Sequence, residues 1–171
     1  MNILVGYASA HGSTRQIAER IAERIRECGA KSDVRTVEEV QSLDGYDAFV
    51  LGSAVHNQSW LPAAVDFVQG NAAALADRPV WIFSVGMPAA LRGPWKAFAD
   101  KERPHILAQL DETLRPRDHQ LFSGAIAREH LPLSGRLMFR AAGCHFGDFR
   151  DWDAIDAWAR AVGRQLTARA A

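Results

Sequence analysis

The feature that most constrains this chain is its opening: a β-branched apolar run, a loop of mostly small residues, then an amphipathic helix. Asn2 to Tyr7 (NILVGY) reads as a strand and Ala8 to Ser13 (ASAHGS) as the loop. Ile17, Ile21, Ile25 and Cys28 then share one helical face, with Glu19, Arg20, Glu23, Arg24 and Glu27 elsewhere. Gly29 stands where a helix stop is expected. The alternation repeats. Asp33 to Val37 is a half-polar strand suited to a sheet edge, and Tyr46 to Leu51 a buried strand ending at Gly52-Ser53. Leu61 to Leu75 is helical, with Pro62 tolerated in its first turn. Val80 to Val85 is a strand ending at Gly86, and Ile106, Leu107, Leu110 and Leu114 mark a further helix. His119 to Ile126 is the fifth strand. Trp152, Ile155, Trp158 and Val162 form the stripe of a last helix that Asp151 caps. Strands alternating with helices require crossovers, so the expected fold is α/β: a doubly wound, five-stranded parallel sheet with helices on both faces.

Composition narrows the function classes. The 171 residues suit one domain spanning 1–171. Lys plus Arg (20) balances Asp plus Glu (20), so the basic excess that nucleic acid selects is missing. No apolar run approaches the roughly 18 residues of a transmembrane helix. Met1 leads into a strand rather than a signal peptide, so a cytoplasmic protein is expected. Cys28 and Cys144 form no C-x-x-C pair and the six histidines show no ligand spacing, so no metal site is expected. Two stretches exceed simple connections, Met87 to Arg103 and Ala127 to Arg150. The second carries Leu137, Met138, Phe139 and Phe146 among Arg136, Arg140 and Arg150. Its preferred reading is a helix that packs its apolar face on the sheet and turns its arginines to water. The rival reading is a basic, apolar surface over 131–146 for peripheral contact with an inner membrane or a lipid-phase quinone.

The loop after the first strand is Ser9-Ala10-His11-Gly12-Ser13-Thr14, opening directly into a helix. Small residues let backbone close around an oxyanion. The helix start supplies N–H groups and a positive dipole end, and Ser9, Ser13 and Thr14 add hydroxyls. The bland alternative is an ordinary strand-to-helix turn whose hydroxyls merely cap the helix. The loop lacks both G-x-G-x-x-G and G-x-x-x-x-G-K-[ST], and the first strand ends without the acidic residues of a phosphoacceptor domain. A mononucleotide is the best remaining ligand, and FMN fits.

Val5 to Ala18 (VGYASAHGSTRQIA) resembles the FMN-phosphate signature of flavodoxins. Within that superfamily the chain looks most like the menaquinone-dependent protoporphyrinogen dehydrogenases and their flavodoxin-domain relatives. Leu51 to His56, Phe83 to Val85, Phe122 to Ile126 and Asp148 to Trp152 carry the resemblance across almost the whole chain. There are two departures. His11 stands where flavodoxins generally place a hydroxyl residue, and Gly86 to Lys96 has fewer cations than the corresponding loop of the porphyrinogen enzymes.

The resemblance implies that Ser9, Ala10, His11, Gly12, Ser13 and Thr14 hold the FMN phosphate. It places the flavin ring at Ser53, Ala54, Val55, His56 and Asn57, and at Ser84, Val85, Gly86 and Met87. Trp60 and Trp95 are candidate ring-stacking partners, with a core position the preferred reading for Trp60. No catalytic side chain is required, because the flavin carries the chemistry; His56 is the candidate proton donor. The leading expectation is a two-electron FMN-dependent dehydrogenase passing electrons to a quinone or a redox protein. Two alternatives stand beside it: an electron carrier without its own substrate, and a non-catalytic module. Zero net charge counts against the carrier, which would use an acidic face for steering. The oligomeric state stays open, with a homodimer as one option.

Overall fold

The structure, a computed structural model, describes residues 1–86, 109–110, 114–130, 133–141 and 145–168. Its sheet has the strand order β2-β1-β3-β5-β6, built from β1 (Asn2–Ala8), β2 (Lys31–Thr36), β3 (Ala48–His56), β5 (Val80–Gly86) and β6 (His119–Ser123). All neighbours on this path are parallel. A short β4 (Ser59–Trp60) folds back antiparallel on the end of β3. α1 (Ser13–Glu27) carries the chain from β1 to β2 on one side; the next crossover returns past β1 to β3. The order therefore reverses between β1 and β3, which opens a crevice at their carboxyl ends.

Alternation within strands divides the core in two. Ile3, Val5 and Tyr7 of β1, Val50 of β3 and Trp81, Phe83 and Val85 of β5 pack against α1 and α5 (Trp152–Thr167). Leu4, Ala8, Phe49, Leu51, Val80 and Ile82 face α2 (Pro62–Gly70) and α3 (Ala72–Ala76). Strands buried on both faces are what a doubly wound sheet demands, and their near-continuous apolar runs follow from it. α1 buries Ile17, Ile21 and Ile25 and stops at Gly29, whose φ of 93° only glycine adopts without strain. Cys28 lies just past the helix and presses on Gly163 of α5; a Cβ there would stand 2.7 Å from its Sγ.

Several boundaries differ from the expectation. β3 does not end at Gly52-Ser53 but runs to His56, because Gly52 leaves room for the Phe83 ring and pairing with β5 continues through Ala54. The Leu61–Leu75 helix is two helices, broken at Gly70-Asn71, where Asn71 turns its side chain onto the Phe67 carbonyl. His119 to Ile126 splits at Gly124: β6 stays in the main sheet, while β7 (Ala125–Ile126) pairs antiparallel with β8 (Gly147–Asp148). Trp152 is 36% exposed and stacks under Arg150 instead of joining the stripe that Ile155, Trp158 and Val162 bury. In α4 (Leu133–Ala141) the preferred reading holds only in part: Phe139 packs on Phe146 and Arg140 faces water, but Leu133 and Leu137 are 79% and 73% exposed. Most of the helix expected around Ile106, together with Met87, Trp95 and Cys144, lies outside the described residues. Among the described residues, no helix is long and apolar enough to cross a membrane.

Candidate functional site

The carboxyl ends of β1, β3, β5 and β6 meet in a groove of about 260 Å³. Ala10, His11 and Ser13 form one wall, Ala54 to Asn57 a second, and Val85 and Gly86 a third. Leu61, Gly124, Ala125, Ile126 and His130 complete it, five residues that the sequence reading missed. Gly124 lets these walls close: a Cβ there would stand 3.0 Å from Val85 Cγ1 and 3.1 Å from Ser13 Oγ, pressing on both side chains. A glycine inside a strand pattern signals such close approach. A larger, polar depression of about 620 Å³ lies elsewhere, along the β2 edge, away from the strand carboxyl ends.

The loop from β1 to α1 is arranged to receive an anion. The N-cap of α1 is Gly12, with φ 88°, so no side chain caps the helix and its first turn carries no acidic residue. α5, by contrast, is capped conventionally: Asp151 Oδ1 accepts the Ala154 N–H at 2.9 Å. At α1 the first-turn amides precede the helical ladder, whose first bond runs from Gln16 N–H to the Gly12 carbonyl. Ser9 Oγ accepts the Gly12 N–H at 3.0 Å and closes the loop, leaving its hydroxyl hydrogen to donate elsewhere. Thr14 is fully buried, and its hydroxyl has no hydrogen-bond partner. A buried hydroxyl left unmatched costs about 1–3 kcal/mol, and such groups call for an explanation. A phosphate oxygen supplies one: uncapped amides, a glycine that lets backbone approach, and an orphaned hydroxyl form a donor set suited to FMN phosphate.

The ring-side residues divide by role. Ala54, Val55, His56, Asn57, Val85 and Gly86 line the groove. Ser53 does not present its hydroxyl, which donates to the Ala54 carbonyl and accepts the Leu61 N–H, tying β3 to the start of α2. Ser84 is likewise fully buried, accepting the Trp60 indole N–H at 2.8 Å and meeting His119 Nε2 at 2.8 Å. Trp60 is therefore a core residue at 3% exposure, not a stacking face, because its N–H finds its partner beneath the sheet end. Asn57 (φ 51°) and Gln58 (φ 62°) make the tight turn between β3 and β4 with both central residues left-handed. Two non-glycine residues in that conformation store strain at the groove rim.

Two further contacts order the wall. His11 and His130 stack with ring centroids 4.0 Å apart and planes within 6°. Burial holds the His11 imidazole below its ordinary value, and like charge on His130 and His56 adds to the effect. On the far side, Arg150 pairs with both oxygens of Asp148, at 2.8 and 2.5 Å, and reaches Gln16 in the first turns of α1. Hydrogen bonding to Arg150 holds the Asp148 carboxyl below its usual range. This clamp fixes the β7–β8 pair, and with it Ala125 and Ile126, beside the loop from β1 to α1.

Comparison with known proteins agrees with this geometry. The model of the Flavodoxin domain family matches residues 4–143. Protoporphyrinogen IX dehydrogenase [quinone] of Escherichia coli strain K12 is 29% identical over 91 residues, covering 52% of this chain and 50% of that protein. The chain thus spans about half the length of the curated relatives it matches. A flavodoxin from the domain Archaea superposes with TM-score 0.59 at 15% identity, over 98% of this chain and 99% of that one. Rubredoxin oxygen:oxidoreductase of Desulfovibrio gigas superposes with TM-score 0.57 at 16% identity, over 99% of this chain and 37% of that one. At such identities the superpositions speak for the fold.

Proposed function

Because the chain belongs to the Flavodoxin domain family, we propose that it is an FMN-dependent oxidoreductase, taking two electrons from a substrate and passing them to a quinone or a redox protein. The observation that carries the cofactor is the orphaned, fully buried Thr14 hydroxyl beside the uncapped start of α1. In this reading Ser9, Ser13, Thr14 and the backbone of Ala10 to Gly12 hold the phosphate. Backbone groups of Ser53 to Asn57 and of Ser84 to Gly86 hold the ring, since the hydroxyls of Ser53 and Ser84 are already engaged. FMN, when bound, supplies the electron acceptance and donation that no side chain here can. Ala54, Val55 and Ile126 keep water from the inner groove, and His56 stands exposed at its rim.

A porphyrinogen-like substrate and a quinone acceptor are supported by the Escherichia coli relative. The exposed Leu133 and Leu137 of α4, with exposed Arg140 on the same helix, favour an apolar acceptor and contact with an anionic membrane surface. A pure electron carrier is less well supported, because the chain has no net charge to steer it. The test is a fluorescence titration with FMN and with riboflavin, which lacks the phosphate. It is followed by anaerobic mixing of the reduced holoprotein with a short-chain naphthoquinone. Tight binding of FMN over riboflavin and rapid multiple turnover with quinone are expected. Equal affinity for the two flavins removes the phosphate site, and FMN binding without quinone turnover leaves the carrier.

A further inference from the structure

The stacked histidines lie outside the phosphate chemistry described so far. His130 is placed by its own turn: its N–H reaches the Ala127 carbonyl at 3.1 Å, and its Nδ1 accepts the Ala127 N–H at 3.2 Å. With that lone pair engaged, the His130 ring carries its proton on Nε2. Its ring is presented face-on to His11, which stands in the phosphate loop next to Gly12. Of the two, His11 is free to gain a second proton without breaking a backbone bond.

We infer that His11 and His130 form a proton-linked phosphate clamp, in which His11 takes one proton from water as a phosphate dianion settles on the loop, while His130 holds the imidazole in place. This deepens the FMN reading and rests on it. The titratable groups facing His11 are His130, from the turn after β7, and His56, from the end of β3. Like charge on either ring disfavours the protonated form of His11. Burial, and then these neighbours, lower the His11 imidazole in the ligand-free protein, and an incoming dianion supplies the opposite charge that favours its protonated form. His11 stands in place of a hydroxyl donor, so the clamp exchanges a neutral donor for a charged one that appears only with the ligand.

One coupled proton changes a binding constant by at most about tenfold per pH unit. The phosphate's own second ionisation, near pH 6, sets the lower bound of the window. The experiment measures FMN and riboflavin dissociation constants between pH 6.5 and 8.5 by flavin fluorescence, in the wild type, His11→Gln and His130→Phe. In parallel, the histidine ring-proton NMR midpoints of the flavin-free protein are read with and without inorganic phosphate. The clamp predicts that FMN affinity relative to riboflavin rises several-fold as pH falls, that His11→Gln is flat, and that His130→Phe keeps the slope. It also predicts that phosphate raises the His11 midpoint. A slope equal in wild type and His11→Gln overturns the clamp while leaving FMN in place. A phosphate-raised His11 midpoint without preference for FMN over riboflavin keeps the clamp and overturns the FMN reading. Neither effect overturns both.

Discussion

Thr14→Val separates what the phosphate loop does for the ligand from what it does for the fold, because the two effects have opposite signs. Valine matches threonine in shape, and the two have similar helix propensities, so the exchange at the second residue of α1 changes little but the hydroxyl. In the flavin-free protein that hydroxyl is fully buried without a partner, and removing it relieves a desolvation cost. Taking the low end of the range for such a group, the variant gains about 1 kcal/mol. For a chain of this size that raises Tm by roughly 2–4 °C. With FMN the sign reverses: a hydrogen bond to a charged acceptor is worth about 1.5–3 kcal/mol, so affinity falls about tenfold to a hundredfold. Riboflavin affinity stays unchanged. Urea unfolding without flavin and fluorescence titration with both flavins give the three numbers, and Thr14→Ser, which keeps the hydroxyl, is the control. A flavin-free Thr14→Val protein less stable than wild type would mean that the hydroxyl has a partner within the fold. Equal loss for FMN and riboflavin would place Thr14 at the ring instead of the phosphate. Either result refutes the reasoning.

Other elements yield shorter tests. Gly52→Ala drives a methyl to 2.1 Å from Phe83 Cζ and should cost about 1–3 kcal/mol by chemical denaturation, with Phe83→Leu restoring part of the loss in the double variant; additive losses would contradict the packing. Gln58→Gly relieves left-handed strain at the β3–β4 turn and should stabilise the protein by up to about 1 kcal/mol in urea; a loss would show that the side chain anchors the turn. Hydrogen bonds from Arg20 and Arg24 hold the Asp156 carboxyl below its usual range, so its contribution is present above about pH 4 and lost as pH falls through the lowered folded value. Asp156→Asn should flatten the acid limb of a Tm-versus-pH profile; an unchanged limb would assign acid unfolding to other carboxylates. Leu133→Ser with Leu137→Ser should leave stability within about 0.5 kcal/mol yet raise the quinone KM, and an unchanged KM would separate α4 from the acceptor.

The inner sheet was legible because β1, β3 and β5 are buried on both faces, so short apolar runs such as VWIFSV, too brief for a helix and bounded by turn residues, read as strands. The caps were legible for the same local reason: Gly29 and Asp151 act through their own backbone neighbourhoods. What the sequence hid was tertiary. Gly52 looks like a strand end, yet it continues the strand, because its missing Cβ makes room for a ring that lies on β5. Gly124 sits within one apolar run and divides it between two sheets, since β7 finds its partner in β8, more than 20 residues further along the chain. α4 shows the limit of periodicity, which identifies an apolar stripe but not whether anything covers it.

The candidate site shows the same division between local and distant information. The small, hydroxyl-bearing loop Ser9 to Thr14 could be read directly, because a strand-to-helix junction is a property of consecutive residues. Ser53 and Ser84 were recognisable as positions but not as side chains: their hydroxyls are engaged by Leu61 and Trp60, partners that only the packed fold supplies. His130 left no signal near the loop, lying 119 positions after His11 in a segment whose readings concerned a packed helix or an apolar surface, not this site. His11 itself was visible as a departure from the hydroxyl expected there, and taken alone it weakens the case for a phosphate. Set against a His130 whose lone pair is engaged by Ala127, the same residue becomes, in the proposed clamp, a donor whose charge depends on the ligand. A substitution that reads as loss within one loop can thus be a change of control once the chain brings a second ring to it.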